Sequence, residues 1–308
     1  YIHPAGMALH YGQSIFEGMK ATKTLDGQPM LFRPEMHAAR MNASARRMCM
    51  PEIPESLFLQ GLDMLVGLDA DWIPPQEGSA LYIRPLMFAN DEFIGVRPSA
   101  KYKFIIMTGP VGPYYPKPVR LMAENHFVRA VNGSTGEAKA AGNYAGAMLP
   151  TKIAQEKGFD QVMWLESPEF KYIQEVGTMN IFFVINGVTI TPITDGAILK
   201  GITRDSILTL LREAGYPVEV RRITMDELIA AYKAGTLQEV YGAGTAAVVS
   251  HVSHIQYDDL LMELPPVEGR QISNWVKDHI DGLRSGRFED THGWVVPVGV
   301  YQEEAVPA

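Results

Sequence analysis

The sequence is nearly free of cysteine, with Cys49 the only one in 308 residues. A lone thiol excludes an internal disulfide and any zinc site built on several cysteines, and it fits a reducing compartment. Positive charge is also short: 27 Lys and Arg stand against 35 Asp and Glu, a net charge of -8. That balance offers no electrostatic footprint for nucleic acid or for an anionic membrane surface. No apolar run is long enough to span a bilayer, and repeats and low-complexity tracts are missing. No signal peptide is visible, but the sequence opens at Tyr1-Ile-His-Pro instead of methionine. A native segment is therefore expected to precede it. The cytoplasm is the default location, with an organelle the choice if that segment is a leader. What is present is an ordinary globular composition, 46% hydrophobic and 20% charged, in a chain of a length that suits two domains.

Residues 15–24 read as strand, and Asp26-Gly27 turns them into a second strand over 29–33, a hairpin. Pro34 then opens a helix to about Met48, proline being favoured at the first helical position. A second helix follows Pro54 to about Gly67, and 80–88 and 102–108 are rich in β-formers. Strands and helices here do not alternate as βαβ units, so the class is α+β. Four prolines and two glycines in Gly109-Pro-Val-Gly-Pro-Tyr-Tyr-Pro-Lys-Pro118 predict a linker. The expected division is a small α+β domain over 1–109, a linker over 110–118 that contributes to a substrate pocket, and a large domain over 119–308. In the large domain, strands are predicted over 119–123, 161–165, 180–185 and 188–191. Helices are predicted from Tyr144 to Gly158, from Gly201 to Gly215, after the capping box Thr224-Met-Asp-Glu227, and over 272–283.

Several stretches carry chemistry. Lys139 sits among small residues in Gly136-Glu-Ala-Lys-Ala-Ala-Gly-Asn-Tyr144, which leaves room for a flat group beside the amine. A lysine in a dry slot gives up its proton more easily and can form a Schiff base with an aldehyde. Glu175 lies in an apolar, strand-like stretch, placed to meet a buried cation such as a pyridinium nitrogen. Gly201-Ile202-Thr203 opens a helix, whose N–H groups and dipole favour a phosphate. Gly242-Ala-Gly244-Thr-Ala-Ala247 is followed by β-branched residues instead of a helix, so it is no dinucleotide fingerprint. Its glycines still make a backbone nest for carboxylate or phosphate. His251 and His254 would point to opposite faces of a strand and are taken as structural, so no metal is expected. Asn42-Ala-Ser44 and Asn132-Gly-Ser134 match glycosylation acceptors only formally. Lysine, acid and phosphate cradle together describe one cofactor, pyridoxal phosphate.

The chain resembles the branched-chain amino acid aminotransferases of the fold-type IV pyridoxal phosphate class. The resemblance runs almost end to end. It rests on Leu-His-Tyr-Gly-Gln-Ser-Ile-Phe-Glu-Gly-Met-Lys at 9–20, Leu-Phe-Arg-Pro at 31–34, Leu-Tyr-Ile-Arg-Pro at 81–85 and Phe-Val-Arg-Ala at 127–130. Further on it rests on Lys-Ala-Ala-Gly-Asn-Tyr at 139–144, Glu-Val-Gly-Thr-Met-Asn at 175–180, Gly-Ile-Thr-Arg at 201–204 and Tyr-Gly-Ala-Gly-Thr-Ala at 241–246.

The resemblance implies that Lys139 holds the cofactor covalently and carries the proton. It implies that Tyr144 bonds the phenolic oxygen, that Glu175 keeps the pyridine nitrogen protonated, and that Arg40, Ile202, Thr203 and Thr245 bind phosphate. Arg129, Thr178 and Gly244 join the cofactor site. Tyr11, Phe16, Tyr82, Arg84, Tyr114, Thr178, Met179, Thr245 and Ala246 would line the substrate pocket, Arg84 taking the distal carboxylate of glutamate. The implied activity is reversible, ping-pong amino transfer between L-leucine, L-isoleucine or L-valine and 2-oxoglutarate, in a homodimer or larger homo-oligomer. The missing leading segment would belong to the small domain. The Cys-x-x-Cys pair of some vertebrate members is replaced by Ala247 and Ser250, which removes thiol switching there. Another fold-type IV enzyme, a D-amino acid aminotransferase or aminodeoxychorismate lyase, would share the lysine and glutamate but not the whole set of blocks. A non-catalytic scaffold would have no need of Lys139 and Glu175.

Overall fold

A computed structural model of the chain describes residues 2–76, 78–112 and 117–299. The chain divides into two compact units, Tyr1–Tyr114 with Ala138–Ala141 and His279–Ala308, and Tyr115–Glu137 with Gly142–Asp278.

Unit 1 opens with α1 (Met7–Tyr11), β1 (Ser14–Phe16), β2 (Met19–Lys23), β3 (Pro29–Phe32), α2 (Pro34–Arg47), α3 (Glu55–Leu68), β4 (Ala80–Ala89) and β5 (Tyr102–Val111). The hairpin turns where predicted, with Gly27 at φ 89°, a left-handed conformation that glycine adopts without strain. The predicted strand over 15–24 is broken at Glu17-Gly18. β1 pairs with residues 86–88 of β4 and β2 with residues 81–83, and the break between them turns Glu17 into the interior. A Cβ on Gly18 would come within 2.6 Å of the Tyr82 hydroxyl, so a side chain there would displace that group. Helix α2 starts at Pro34 and buries His37, Ala38, Met41, Ser44 and Ala45, the spacing of one helical face.

Two expectations about domain limits are corrected. β5 runs through Gly109 and Pro110 to Val111, which pairs with Ala80, so the first residues of the predicted linker are strand. Pro110 is tolerated because, among the described residues, β5 pairs only with β4 and needs no outward N–H. Residues 279–308 group with unit 1 instead of with 119–278. The reason is a late strand that the sequence did not announce, Val295–Pro297, whose Val295 pairs antiparallel with Phe32 of β3. Residues 138–141 join unit 1 through an antiparallel bridge between Ile15 and Ala140.

The elements continue with β6 (Val119–Glu124), α4 (Ala141–Gly146), α5 (Met148–Glu156), β7 (Gln161–Leu165), β8 (Ile173–Val176), β9 (Met179–Ile185), β10 (Val188–Thr191), α6 (Ile202–Glu213), β11 (Val218–Val220), α7 (Met225–Lys233), β12 (Leu237–Gly244), β13 (Val248–Tyr257), β14 (Leu260–Glu263), α8 (Ile272–Arg284) and the late strand, β15. The helix predicted from Tyr144 to Gly158 is two helices, because Pro150 has no N–H to bond back one turn and the ladder breaks before it. The large sheet follows the order β11-β10-β9-β12-β13-β6-β7-β8, with β8 also paired to β9. Every residue of β9 is buried, and past Asn180 the run 181–185 is continuously apolar. Thr224 caps α7 by accepting the Glu227 N–H at 3.0 Å. Mixed strands and helices in both units make the class α+β.

Candidate active site

In unit 1, the backbone of Lys139 is tied on both sides. Its carbonyl accepts the Phe16 N–H at 3.1 Å, and its own N–H donates to Ser44 Oγ at 2.9 Å. The side chain is half-buried, not sealed in the dry slot that its small neighbours predict. Nζ lies 4.7 Å from the centre of the Phe16 ring, and Arg84 Cζ lies 4.4 Å from the same ring. An aromatic face attracts cations through its quadrupole, so Phe16 serves both. Arg84 also donates from Nε and Nη2 to the Tyr82 hydroxyl at 3.2 and 2.7 Å. That contact follows from alternate residues of a strand sharing a face.

Behind Phe16 lies a charged cluster. Glu17 is completely buried, and its Oε1 accepts Arg40 Nε at 2.7 Å while Oε2 accepts Arg40 Nη2 at 2.7 Å and His37 Nδ1 at 2.8 Å. Burial works to raise the Glu17 pKa, but the Arg40 charge and the hydrogen bonds from Arg40 and His37 outweigh it and hold the carboxyl far below the usual range. Burial pushes the His37 pKa down against its bond to Glu17, and the charges of Arg40 and Lys139 add to the lowering. His37 is thus near enough to Lys139 to feel its charge.

In unit 2, Glu175 is buried on β8. Its Oε1 accepts the Leu199 N–H at 2.9 Å and Asn180 Nδ2 at 3.2 Å, and Oε2 pairs with Arg129 Nε at 2.6 Å. Arg129 donates its other nitrogens to the carbonyls of Ala197 at 2.9 Å and Gly136 at 3.2 Å. Asn180 Nδ2 reaches the Leu199 carbonyl at 3.0 Å. A Cβ at Gly201 would collide with Asn180 Oδ1, so glycine is required where this network meets α6. The N-cap of α6 makes no side-chain bond, and a helix start without such a cap presents N–H groups and the positive end of the dipole to an anion. Ile202 and Thr203, its first residues, are buried. Arg204 lies on the same helix but is spent on the Pro192 carbonyl at 2.8 Å.

The glycine turn leads from β12 into β13, as its β-branched sequel predicts. Gly244, Thr245 and Ala246 are half-buried, and a Cβ on Gly242 would come within 2.8 Å of Met179 Cε. Thr178 is exposed in the turn between β8 and β9, whereas Met179 is buried. Tyr144 is half-buried on α4 and Tyr11 exposed at the end of α1. Tyr114 lies outside the described residues. Among the described residues no group of three or more His, Cys, Asp or Glu is placed to hold a metal, and no helix is long and apolar enough to cross a membrane.

Glu17, His37, Ser44 and Asn180 carry no sequence signal that singles them out. Glu17 and Asn180 stand inside the quoted blocks, beside residues that were assigned roles. His37, Arg40 and Ser44 recur at helical spacing, which places them on one face without marking a role. Ser44 enters the sequence reading only as the end of a formal glycosylation triplet.

Residues 14–255 match the amino-transferase class IV family. The chain is 47% identical over 303 residues to the branched-chain-amino-acid aminotransferase 2 of Bacillus subtilis, covering 97% of this chain and 84% of that protein. It is 42% identical to the branched-chain-amino-acid aminotransferase of Mycolicibacterium smegmatis, covering 96% and 82% of the two. Among solved structures it is similar to the Escherichia coli branched-chain amino acid aminotransferase, with a TM-score of 0.80 and 29% identity over 98% of this chain and 94% of that one. It is also similar to the T.th. branched-chain amino acid aminotransferase complexed with N-(5'-phosphopyridoxyl)-L-glutamate, with a TM-score of 0.82 and 28% identity over 97% and 94%.

Proposed function

The chain belongs to the amino-transferase class IV family, and from that premise we propose how its own residues carry the reaction. The activity is branched-chain amino acid transamination dependent on pyridoxal phosphate, between L-leucine, L-isoleucine or L-valine and 2-oxoglutarate. The donor set suits that cofactor: an amine for an aldehyde, a buried carboxylate for a ring nitrogen, and an arginine with a helix start for a phosphate. Lys139 would hold the cofactor, with its carbonyl and N–H bonded to Phe16 and Ser44. Glu175 would face the ring nitrogen. Arg40, Ile202, Thr203, Gly244 and Thr245 would hold the phosphate, and Tyr144, Arg129 and Thr178 would complete the cradle.

When bound, the cofactor supplies an electron sink for the pair left when the amino acid's Cα loses its proton. Lys139 Nζ takes that proton and gives it up again as the 2-oxo acid forms. The Glu175 carboxylate stabilises positive charge at the ring nitrogen, and Arg129, Asn180 and the Leu199 N–H fix its direction. Tyr11, Phe16 and Tyr82 of unit 1, and Met179 and Ala246 of unit 2, are the residues that the resemblance would give to an apolar side chain. Arg84, turned onto Phe16 and Tyr82, supplies the charge that the distal carboxylate of glutamate needs, since burying that group unpaired is costly. The same residues then serve the second half-reaction.

The observation that carries the reading is the backbone-tied Lys139 with its amine over Phe16. Its test is to offer L-leucine and D-alanine separately with 2-oxoglutarate and follow glutamate formation. Transfer from L-leucine with little from D-alanine is expected; the reverse would point to a D-amino acid aminotransferase. A homodimeric or larger assembly and a cytoplasmic location belong to the same proposal, and light scattering on the purified chain tests the former.

A further inference from the structure

Arg40 does not stand alone in unit 1. Both of its side-chain bonds described above end on Glu17, one nitrogen to each carboxylate oxygen, at 2.7 Å. Such a two-point bond fixes the plane of a guanidinium as well as its position. Glu17 can do this because the break between β1 and β2 turns it inward, where Gly18 N–H at 3.3 Å and His37 Nδ1 at 2.8 Å also donate to Oε2. Side-chain exposure is 0% for Glu17, 2% for His37 and 12% for Arg40, so Arg40 is the member of the cluster that reaches outward.

We propose that Glu17 is a positioning residue for the cofactor phosphate, clamping Arg40 so that its guanidinium is oriented for that anion before binding. The inference rests on the reading of Arg40 as a phosphate ligand. Two effects oppose each other when Glu17 loses its charge. Removing a negative group strengthens the pull of Arg40 on any anion, while freeing the guanidinium forfeits its orientation. Orientation wins, because a long side chain left loose has to be ordered when the anion binds, and that entropy is met in full on binding.

The experiment measures dissociation constants of the full chain, stripped of cofactor, for pyridoxal phosphate and for pyridoxal, which lacks the phosphate. Wild type, Glu17→Gln, Arg40→Met and the double variant are compared. Glu17→Gln should weaken pyridoxal phosphate about tenfold, the scale of a lost charged hydrogen bond, and leave pyridoxal unchanged. The double variant should bind pyridoxal phosphate no worse than Arg40→Met alone, since the two act as one unit. Equal weakening of both ligands would mean that Glu17 only supports the fold, and tighter pyridoxal phosphate would mean that it acts by charge. Either overturns the inference. If Arg40→Met leaves the preference for pyridoxal phosphate over pyridoxal intact, the phosphate role of Arg40 falls and this inference with it. If that preference drops in Arg40→Met but not in Glu17→Gln, the inference about Glu17 falls alone. Should Glu17→Gln not fold, Glu17→Asp, one methylene short of the two-point bond, is read by the same criteria.

Discussion

The cluster around Lys139 in unit 1 and the cluster around Glu175 in unit 2 are held by different means. Near Lys139, the groups that set the surroundings of the amine are side chains meeting side chains: Phe16 against Nζ, Arg84 on Tyr82, and Arg40 and His37 on Glu17. Around Glu175, main chain dominates. The Leu199 N–H holds the carboxylate, and Arg129 and Asn180, which also hold it, are themselves anchored on the carbonyls of Ala197, Gly136 and Leu199. The difference suits the chemistry assigned to each. A lysine whose amine must part from the cofactor and carry a proton needs a tied backbone beneath a movable end, whereas a ring partner works best when nothing about it moves. It also says where substitutions should act gradually and where they should act all at once.

The harshest way to break the comparison is Lys139→Ala. Turnover should fall by about three orders of magnitude or more, while cofactor binding without a covalent bond persists, read by dialysis and absorbance. Next comes Glu175→Gln, expected to lose about 100-fold in single-turnover rate, because an amide cannot match a carboxylate against a positive ring nitrogen. A wild-type rate would remove Glu175 as ring partner. Arg84→Met should cost about 1.5–3 kcal/mol, roughly ten- to a hundred-fold, in the glutamate half-reaction and far less in the leucine one. Equal losses in both would reduce Arg84 to a structural role.

Ser44→Ala should cost about 1 kcal/mol of stability through the Lys139 N–H it leaves unbonded, with a few-fold loss of turnover, checked by urea melts beside kinetics. The effect furthest from turnover is expected at His251 in unit 2, in the pH dependence of stability. Burial, with the charges of Arg270 and Lys277, pushes its pKa from 6.5 down to about 4. As pH falls from 6.5 to 4 the unfolded chain takes up this proton before the folded one, so stability is lost across that window. His251→Gln should return about 1–2 kcal/mol of that loss, allowing for partial exposure. Melts at pH 7 and 4.5 measure it as a narrower gap than in wild type.

Much of this was legible in the sequence because local rules agreed with the fold. Pro34 opened α2, Asp26-Gly27 made the hairpin, and the apolar run of β9 announced a fully buried strand. What was not legible depends on distant pairing. Nothing near Val295 predicts that it will lie against Phe32, and no local pattern says that four residues around Lys139 will leave the flanking unit. The site divides in the same way. Lys139, Glu175 and the start of α6 carry visible signals of composition or spacing. Glu17, buried in unit 1 by a strand break, and Asn180, fitted against Gly201 in unit 2, act through neighbours that only the fold supplies. Lys139 looked enclosed because its neighbours are small, yet small neighbours also leave it half open.

The central claim, that the reactive amine is the one tied down in unit 1, is tested most directly by chemical trapping. The holoenzyme is reduced with borohydride, digested, and searched by mass spectrometry for the phosphopyridoxyl group. The account predicts the label on the peptide containing Lys139 and nowhere else. A label on Lys152, Lys200 or any other lysine would contradict it.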